Sequence, residues 1–189
     1  MMLKSRLTFW PLLNSITFLL LFLSISLHAQ RYAFDSANST ISFSIEHLGF
    51  LTVTGSFQKI TGTVKFTKDS VAVMATIHTN SITTKNDDRD VTIKGEQYLN
   101  VTAFPIIQIE AKGKQKNNKI VTNCWVTIRG KESRWPVTFS VRKMNNNQKL
   151  IEGKFTLHRE KLMLSFGAMN DLIGDDITIQ TSAMLELKQ

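Results

Sequence analysis

A chain of 189 residues with 42% hydrophobic side chains, nine glycines and three prolines has the composition of a globular protein, neither collagen-like nor disordered. Its 23 basic and 15 acidic residues give a formal charge of +8. The lysines nevertheless stand singly along the sequence, without the dense basic run or interleaved aromatics of single-strand nucleic-acid binders, which argues against a nucleic-acid partner. With one cysteine, Cys124, an intramolecular disulfide is excluded.

The chain opens with Lys4 and Arg6 ahead of a nearly unbroken apolar run, 16–27. That is the length of a signal-peptide core and falls short of the roughly 20 residues needed to span a bilayer. Leu27-His28-Ala29 places the expected cleavage after Ala29, so 1–29 is read as a signal peptide and 30–189 as one domain. Losing Lys4 and Arg6 lowers the formal charge from +8 to +6. The remaining chain does not begin with a cysteine that could carry lipid. A soluble periplasmic or secreted protein without stable membrane insertion is expected.

The first element after the leader alternates. In the stretch Thr40 to Phe57, the side chains of Ile41, Phe43, Ile45 and His47 share one face if the chain is extended. A histidine two residues before a glycine thus ends an apolar wall, as in sites that hold a ligand with an oily body and a polar head. Further strands are expected over 61–67, 71–78 and 106–112, then over 120–128, 135–142 and 150–157, separated by turns such as Lys68-Asp69-Ser70 and Asn145-Asn146-Asn147. Cys124 lies within one of them, where a small buried hydrophobe is expected. The last strand alternates most regularly, with Ile177, Ile179, Thr181, Ala183, Leu185 and Leu187 on one face.

Eight or more strands joined by short turns predict an all-β antiparallel meander, closed into a barrel that leaves no exposed edge, with an open sandwich as the competing arrangement. Such a barrel is either filled by side chains or holds one small ligand.

Two segments break the rhythm. Between Ser81 and Pro105 the chain is too long for a hairpin loop and charged at its centre; Asp90 is expected to cap a helical turn carrying Ile93, Lys94 and Tyr98. Within it, Arg89 in Asp87-Asp88-Arg89-Asp90 is either a surface ion-pair partner or a permanent cation at a barrel mouth able to grip an anionic head. Over 159–176, Leu162, Leu164 and Phe166 suggest another strand, and Asp171, Asp175 and Asp176 lie in turns whose spacing does not match a calcium loop. No Gly-x-Ser-x-Gly, His-Glu-x-x-His, Cys-x-x-Cys or phosphate-binding glycine loop occurs, and the histidines lack metal-site spacing, so neither catalysis nor a metal is expected.

The order and spacing of several short elements resemble the YceI-like lipid or polyisoprenoid-binding proteins over nearly the whole domain. These elements are Asp35, Ser39 to Phe43, His47, Gly55-Ser56-Phe57 and Gly62. Beyond them come Ser81-Ile82-Thr83-Thr84, Arg89-Asp90, Phe104-Pro105, Ile128-Arg129-Gly130, Trp135-Pro136-Val137, Phe166-Gly167 and Ile173-Gly174. The chain departs from the pattern at Asn38, at Thr92-Ile93, where the family has His-Leu, and at Tyr98-Leu99-Asn100. The resemblance implies an extended, lipocalin-like barrel with a short helical cap, binding an isoprenoid-like lipid without catalysis. An isoprenoid quinone or a prenyl phosphate would suit such a site, and no other cofactor is implied. Ile41, Phe43, Ile45, His47, Phe57, Arg89, Tyr98 and Phe104 are the expected ligand-binding residues. The alternative is a packed barrel that acts through its outer surface as a partner-binding or stress-related module.

Overall fold

The computed structural model describes residues 29–162 and 164–188. The expected signal segment falls, but for Ala29, outside the described residues.

Among the described residues the alternating segments form ten strands, every pairing antiparallel. They are β1 (Gln30–His47), β2 (Leu51–Phe57), β3 (Ile60–Phe66), β4 (Ser70–His78) and β5 (Ile82–Thr83), followed by β6 (Ile106–Lys116), β7 (Lys119–Ile128), β8 (Lys131–Lys143), β9 (Gln148–His158) and β10 (Ile173–Leu187). One short helix, α1 (Asp87–Lys94), stands between β5 and β6. The sheet order β10-β9-β8-β7-β6-β4-β3-β1 is closed by pairing of β1 with β10, from Tyr32 opposite Leu187 to Ile45 opposite Ile177. Eight strands therefore make a closed barrel, and the sandwich is excluded. The pair β2 and β5 continues the wall beyond the ring.

Strand β1 begins well before Thr40 because it serves two neighbours. Its first residues pair with β3, its last with β2. Between them the register slips, from Phe34 opposite Leu185 to Ser39 opposite Ala183. The slip is held by Asp35, whose carboxylate accepts from the backbone N–H of Ala37 at 3.0 Å and from the Asn38 amide at 2.6 Å. Ser36 donates to the Ile60 carbonyl at 2.7 Å and ties the bulge to the start of β3. A bulge of this kind bends a strand and increases its twist, which lets β1 change partners.

The interior divides into two layers. At the end where β1 begins and β10 ends, Tyr32, Val64, Phe66, Val71, Ile120, Val141, Ile151 and Leu185 pack into a solid plug, with the Tyr32 and Phe66 rings edge to face at 5.4 Å. The second apolar cluster surrounds the other half and includes Ile41, Ile77, Val126, Leu157, Leu162 and Leu164. That half is hollow. Complete filling, the other arrangement open to this sequence, is confined to the closed end.

Both irregular segments lie across the open end. Helix α1 begins at Asp87, with Asn86 as its N-cap accepting from the Arg89 N–H at 2.9 Å. Asp90, expected at the cap, lies inside the first turn with Asp87 and Asp88, where negative charge favours the helix dipole. Its carboxylate turns back to Thr84. The expected strand through Leu162, Leu164 and Phe166 does not form. Arg159–Leu162 is a 3-10 turn, and a second spans Gly167–Leu172. The edge of β9 is already taken by β10, from Asp176 opposite His158 onward, so this segment has no strand to join. Leu162 and Leu164 are buried all the same.

Candidate functional site: an apolar cavity beneath a capping helix

The hollow half encloses a cavity of about 470 Å³, within the range of small-molecule sites. One wall is the alternating face of β1: Ile41, Phe43, Ile45 and His47, continued by Val53 and Phe57 of β2. The rest of the wall comes from β6 to β10, including Ile109, Val126, Phe139, Phe155 and Ile179. Arg89, Ile93, Tyr98 and Leu99 cover it from the helical insert, and Leu162, Leu164, Phe166 and Met169 from the segment before β10.

Two glycines keep the lumen open. A Cβ on Gly55 would lie 2.4 Å from Cζ of Phe43, and one on Gly153 would lie 2.5 Å from Cδ1 of Phe139. Each ring thus lies flat across a neighbouring strand at a residue that has no side chain, leaving the centre free. Phe139 in turn meets Phe155 edge to face at 5.9 Å.

Polar groups are few: Thr181 lies level with Ile41, and His47, Arg89, Thr92 and Tyr98 lie toward the mouth. The guanidinium of Arg89 donates from Nε to Thr84 Oγ1 at 2.8 Å and from Nη2 to the Thr84 carbonyl at 3.0 Å. Thr84 passes its own hydroxyl proton toward Asp90, donating to Oδ1 at 2.6 Å, and its N–H reaches the same oxygen at 2.7 Å. Burial opposes ionisation of Asp90. The hydrogen bonds from Thr84 and Thr83, with the charge of Lys94, outweigh it and hold the carboxyl below the usual range. Asp90 therefore stays ionised at neutral pH, and the relay from Arg89 through Thr84 to Asp90 fixes the arginine at the cavity. None of the three ion pairs among the described residues involves Arg89, so it is not the surface ion-pair partner its acidic neighbours suggest.

The expected site residues are brought together with one exception. Ile41, Phe43, Ile45, His47, Phe57, Arg89 and Tyr98 all line the cavity; Phe104 does not. The Phe104 ring lies against Gly130 in the β7–β8 turn, and its carbonyl accepts from Thr79 Oγ1 at 2.8 Å, pinning the end of the insert to the barrel. Sequence reasoning missed the far wall and the mouth segment. The rings of Tyr98 and Phe166 stack at 5.2 Å and join the two irregular segments over the cavity. Arg159, buried, holds the mouth segment in place by bonds to Asn170, Ile173 and Asp175. Asp175 and Asp176, expected in a turn, lie in β10, where Asp175 pairs with Arg159 and Asp176 with His158 at 2.6 Å.

Cys124 also lines the cavity, and burial pushes its thiol up to about 11 from an ordinary value of 9.0. It is a protonated, unreactive thiol at neutral pH. Because the folded pKa lies above the unfolded one, the unfolded chain loses its proton first, and stability falls as pH rises from about 9 to about 11. Two pKa units correspond to at most about 2.7 kcal/mol. Denaturant titrations across this range are expected to show a steeper alkaline loss for the wild type than for Cys124→Ala; parallel losses would refute the assignment.

A closed antiparallel barrel, plugged at one end and hollow under a helical cap at the other, defines a lipocalin-like cavity barrel. The chain belongs to the YceI-like family, whose domain matches residues 32–185. A UPF0312 protein of Staphylococcus aureus is 30% identical over 174 residues, covering 84% of this chain and 99% of that protein. One from Yersinia pestis is 34% identical over 103 residues, covering 52% of this chain and 54% of its own length. Among solved structures, Burkholderia cenocepacia BcnA superposes with a TM-score of 0.73 at 20% identity, over 80% of this chain and 98% of that one. A polyisoprenoid binding domain from Saccharophagus degradans, described as implicated in plant cell wall breakdown, gives 0.71 at 12% identity, over 83% and 98%. At these identities the two structures establish the fold.

Proposed function

We propose that this protein is an exported, non-catalytic carrier that sequesters an isoprenoid-like amphiphile, with the apolar tail in the barrel and the head at the mouth. The observation that carries this reading is the apolar cavity of about 470 Å³ with Arg89 turned toward it. The family and the ligand named for the Saccharophagus degradans domain support it. The apolar run 16–27 supports export to the periplasm or beyond.

At about 30 Å³ per small liquid-like unit, the cavity takes roughly fifteen non-hydrogen atoms, or about three isoprene units. Burying these at about 0.8 kcal/mol per methylene equivalent gives roughly 12 kcal/mol before ordering costs, so the tail supplies most of the affinity. The head adds selectivity. Native mass spectrometry of protein purified from its host, followed by solvent extraction, is expected to find a stoichiometric amphiphile. A protein that is empty and takes up neither isoprenoid quinones nor prenyl phosphates would refute the reading.

Arg89, with Nη1 unengaged among the described residues, is placed for an anionic head. Arg89→Ala is expected to weaken a prenyl phosphate about tenfold while changing a neutral quinone by less than about twofold. Equal losses for the two ligands would mean that Arg89 only braces the cap. His47→Ala is expected to change either ligand less than Arg89→Ala changes the phosphate, since the ring makes no hydrogen bond among the described residues.

A further inference from the structure

Basic residues that are scattered in the sequence are gathered by the fold. The β6–β7 hairpin brings Lys114, Lys116 and Lys119 to the closed end, and the β8–β9 turn brings Arg142, Lys143 and Lys149. Lys65 and Lys68 flank the β3–β4 turn of the same rim, and Arg31 and Lys188 stand where the first and last strands meet. Only Asp69, Glu152 and Glu186 oppose these ten cations. The other half of the barrel carries the remaining 11 basic and 12 acidic residues of the chain after Ala29, so essentially all of its +6 excess lies at the closed end.

The fold does not neutralise this ring. Glu152 pairs with Arg142 and Glu186 accepts from Gln148. Lys149 lies over the Phe66 and Tyr32 rings at 3.9 and 4.7 Å. The rest are exposed. Like charges so gathered repel one another and cost stability unless a polyanion meets them.

We infer that the closed end is a docking surface for an anionic phospholipid bilayer. A membrane fits better than a nucleic acid for three reasons. The groove at this end is lined by 145–148, Glu186 and Leu187 and by none of the lysines. The aromatic rings there are buried in the plug, so no base has a face to stack on. Met144, next to Lys143 in the β8–β9 turn, is half exposed and offers an apolar side chain to the headgroup layer. Strands of about 11 residues, tilted near 40°, separate the two ends by roughly 30 Å. Docked in this way, the mouth opens away from the membrane.

The test is co-sedimentation of the purified protein with phosphatidylcholine vesicles, with and without a third of phosphatidylglycerol. Binding is expected only to the anionic vesicles and is expected to fall at least about tenfold between about 50 and 300 mM salt. Lys114→Glu, Lys116→Glu and Lys119→Glu together should weaken it at least about tenfold, and the matching glutamine triple should weaken it less. Lys59→Glu, Lys85→Glu and Lys131→Glu, an equal change of net charge on the other half, should leave it within about twofold. Equal binding to neutral vesicles, equal loss in both charge-reversal triples, or tighter binding to duplex DNA than to anionic vesicles at the same salt would each overturn the inference. So would the absence of vesicle binding at low salt.

Discussion

Arg159→Ala is expected to cost about 3 kcal/mol of stability, lowering the melting temperature by roughly 6–12 °C, and to abolish ligand retention. The side chain is 5% exposed and donates from Nη2 to the carbonyls of Asn170 and Ile173, each at 3.2 Å, and to the Asp175 carboxylate at 2.7 Å. From Nη1 it reaches the Asn170 side chain, and its Cζ lies 5.1 Å from the centre of the Phe166 ring. Asp175 is 65% exposed, so the ion pair itself contributes little. Most of the loss comes from carbonyls left without donors in a segment that has no strand partner. Asp175→Asn is therefore expected to cost less than about 1 kcal/mol, and Arg159→Lys to recover less than half of the alanine loss, because an ammonium lacks the planar fork. Binding falls with stability because Leu164, Phe166, Met169 and Ile173 of this segment line the cavity. Thermal melts with ligand-uptake assays decide the matter: an Arg159→Ala protein that retains ligand as the wild type does would show that the mouth holds itself.

What the sequence disclosed and what it hid follow from the range of the interactions. The inward face of β1 was legible because period-two alternation is local: Ile41, Phe43, Ile45 and His47 declare it without reference to the rest of the chain. Barrel closure was legible only as the better of two arrangements, since the pairing of β1 with β10 joins residues some 140 apart in sequence. The bulge at Asp35 was not legible, because a short turn and a strand bulge use the same residues. Asn86 was missed as the helix cap for a related reason. Asparagine and aspartate both cap helices, and only the pull of Thr84 on the Asp90 carboxylate decides between them. The hydrophobic pattern of Leu162, Leu164 and Phe166 imitates a strand, yet what it reports is burial toward the cavity. Arg159 gave no signal, since a lone arginine at the end of a strand reads as solvated until the segment that folds over it is known.

The hollow and the plug place opposite demands on the same strands, and a substitution that fills the hollow separates them. Val126 lines the cavity from β7 and is buried, two residues along the same face from Cys124. Val126→Trp is expected to occupy much of the lumen and weaken any isoprenoid ligand by more than about a hundredfold, equivalent to roughly 2.7 kcal/mol. Filling a close-packed core usually costs about 1–3 kcal/mol in strain. Here the new ring enters vacant space, so the cost should be small and the melting temperature should stay within a few degrees of the wild type. The same change at a plug position such as Val64, fully buried, has no vacant space to enter and is expected to destabilise strongly. Isothermal titration with a prenyl ligand and thermal melts on both variants make the comparison. Undiminished binding by a well-folded Val126→Trp protein would mean that the ligand lies outside the barrel and would remove the carrier reading. Loss of binding with the fold intact would place the tail between β1 and β7, on the wall that Ile41, Phe43 and Ile45 form.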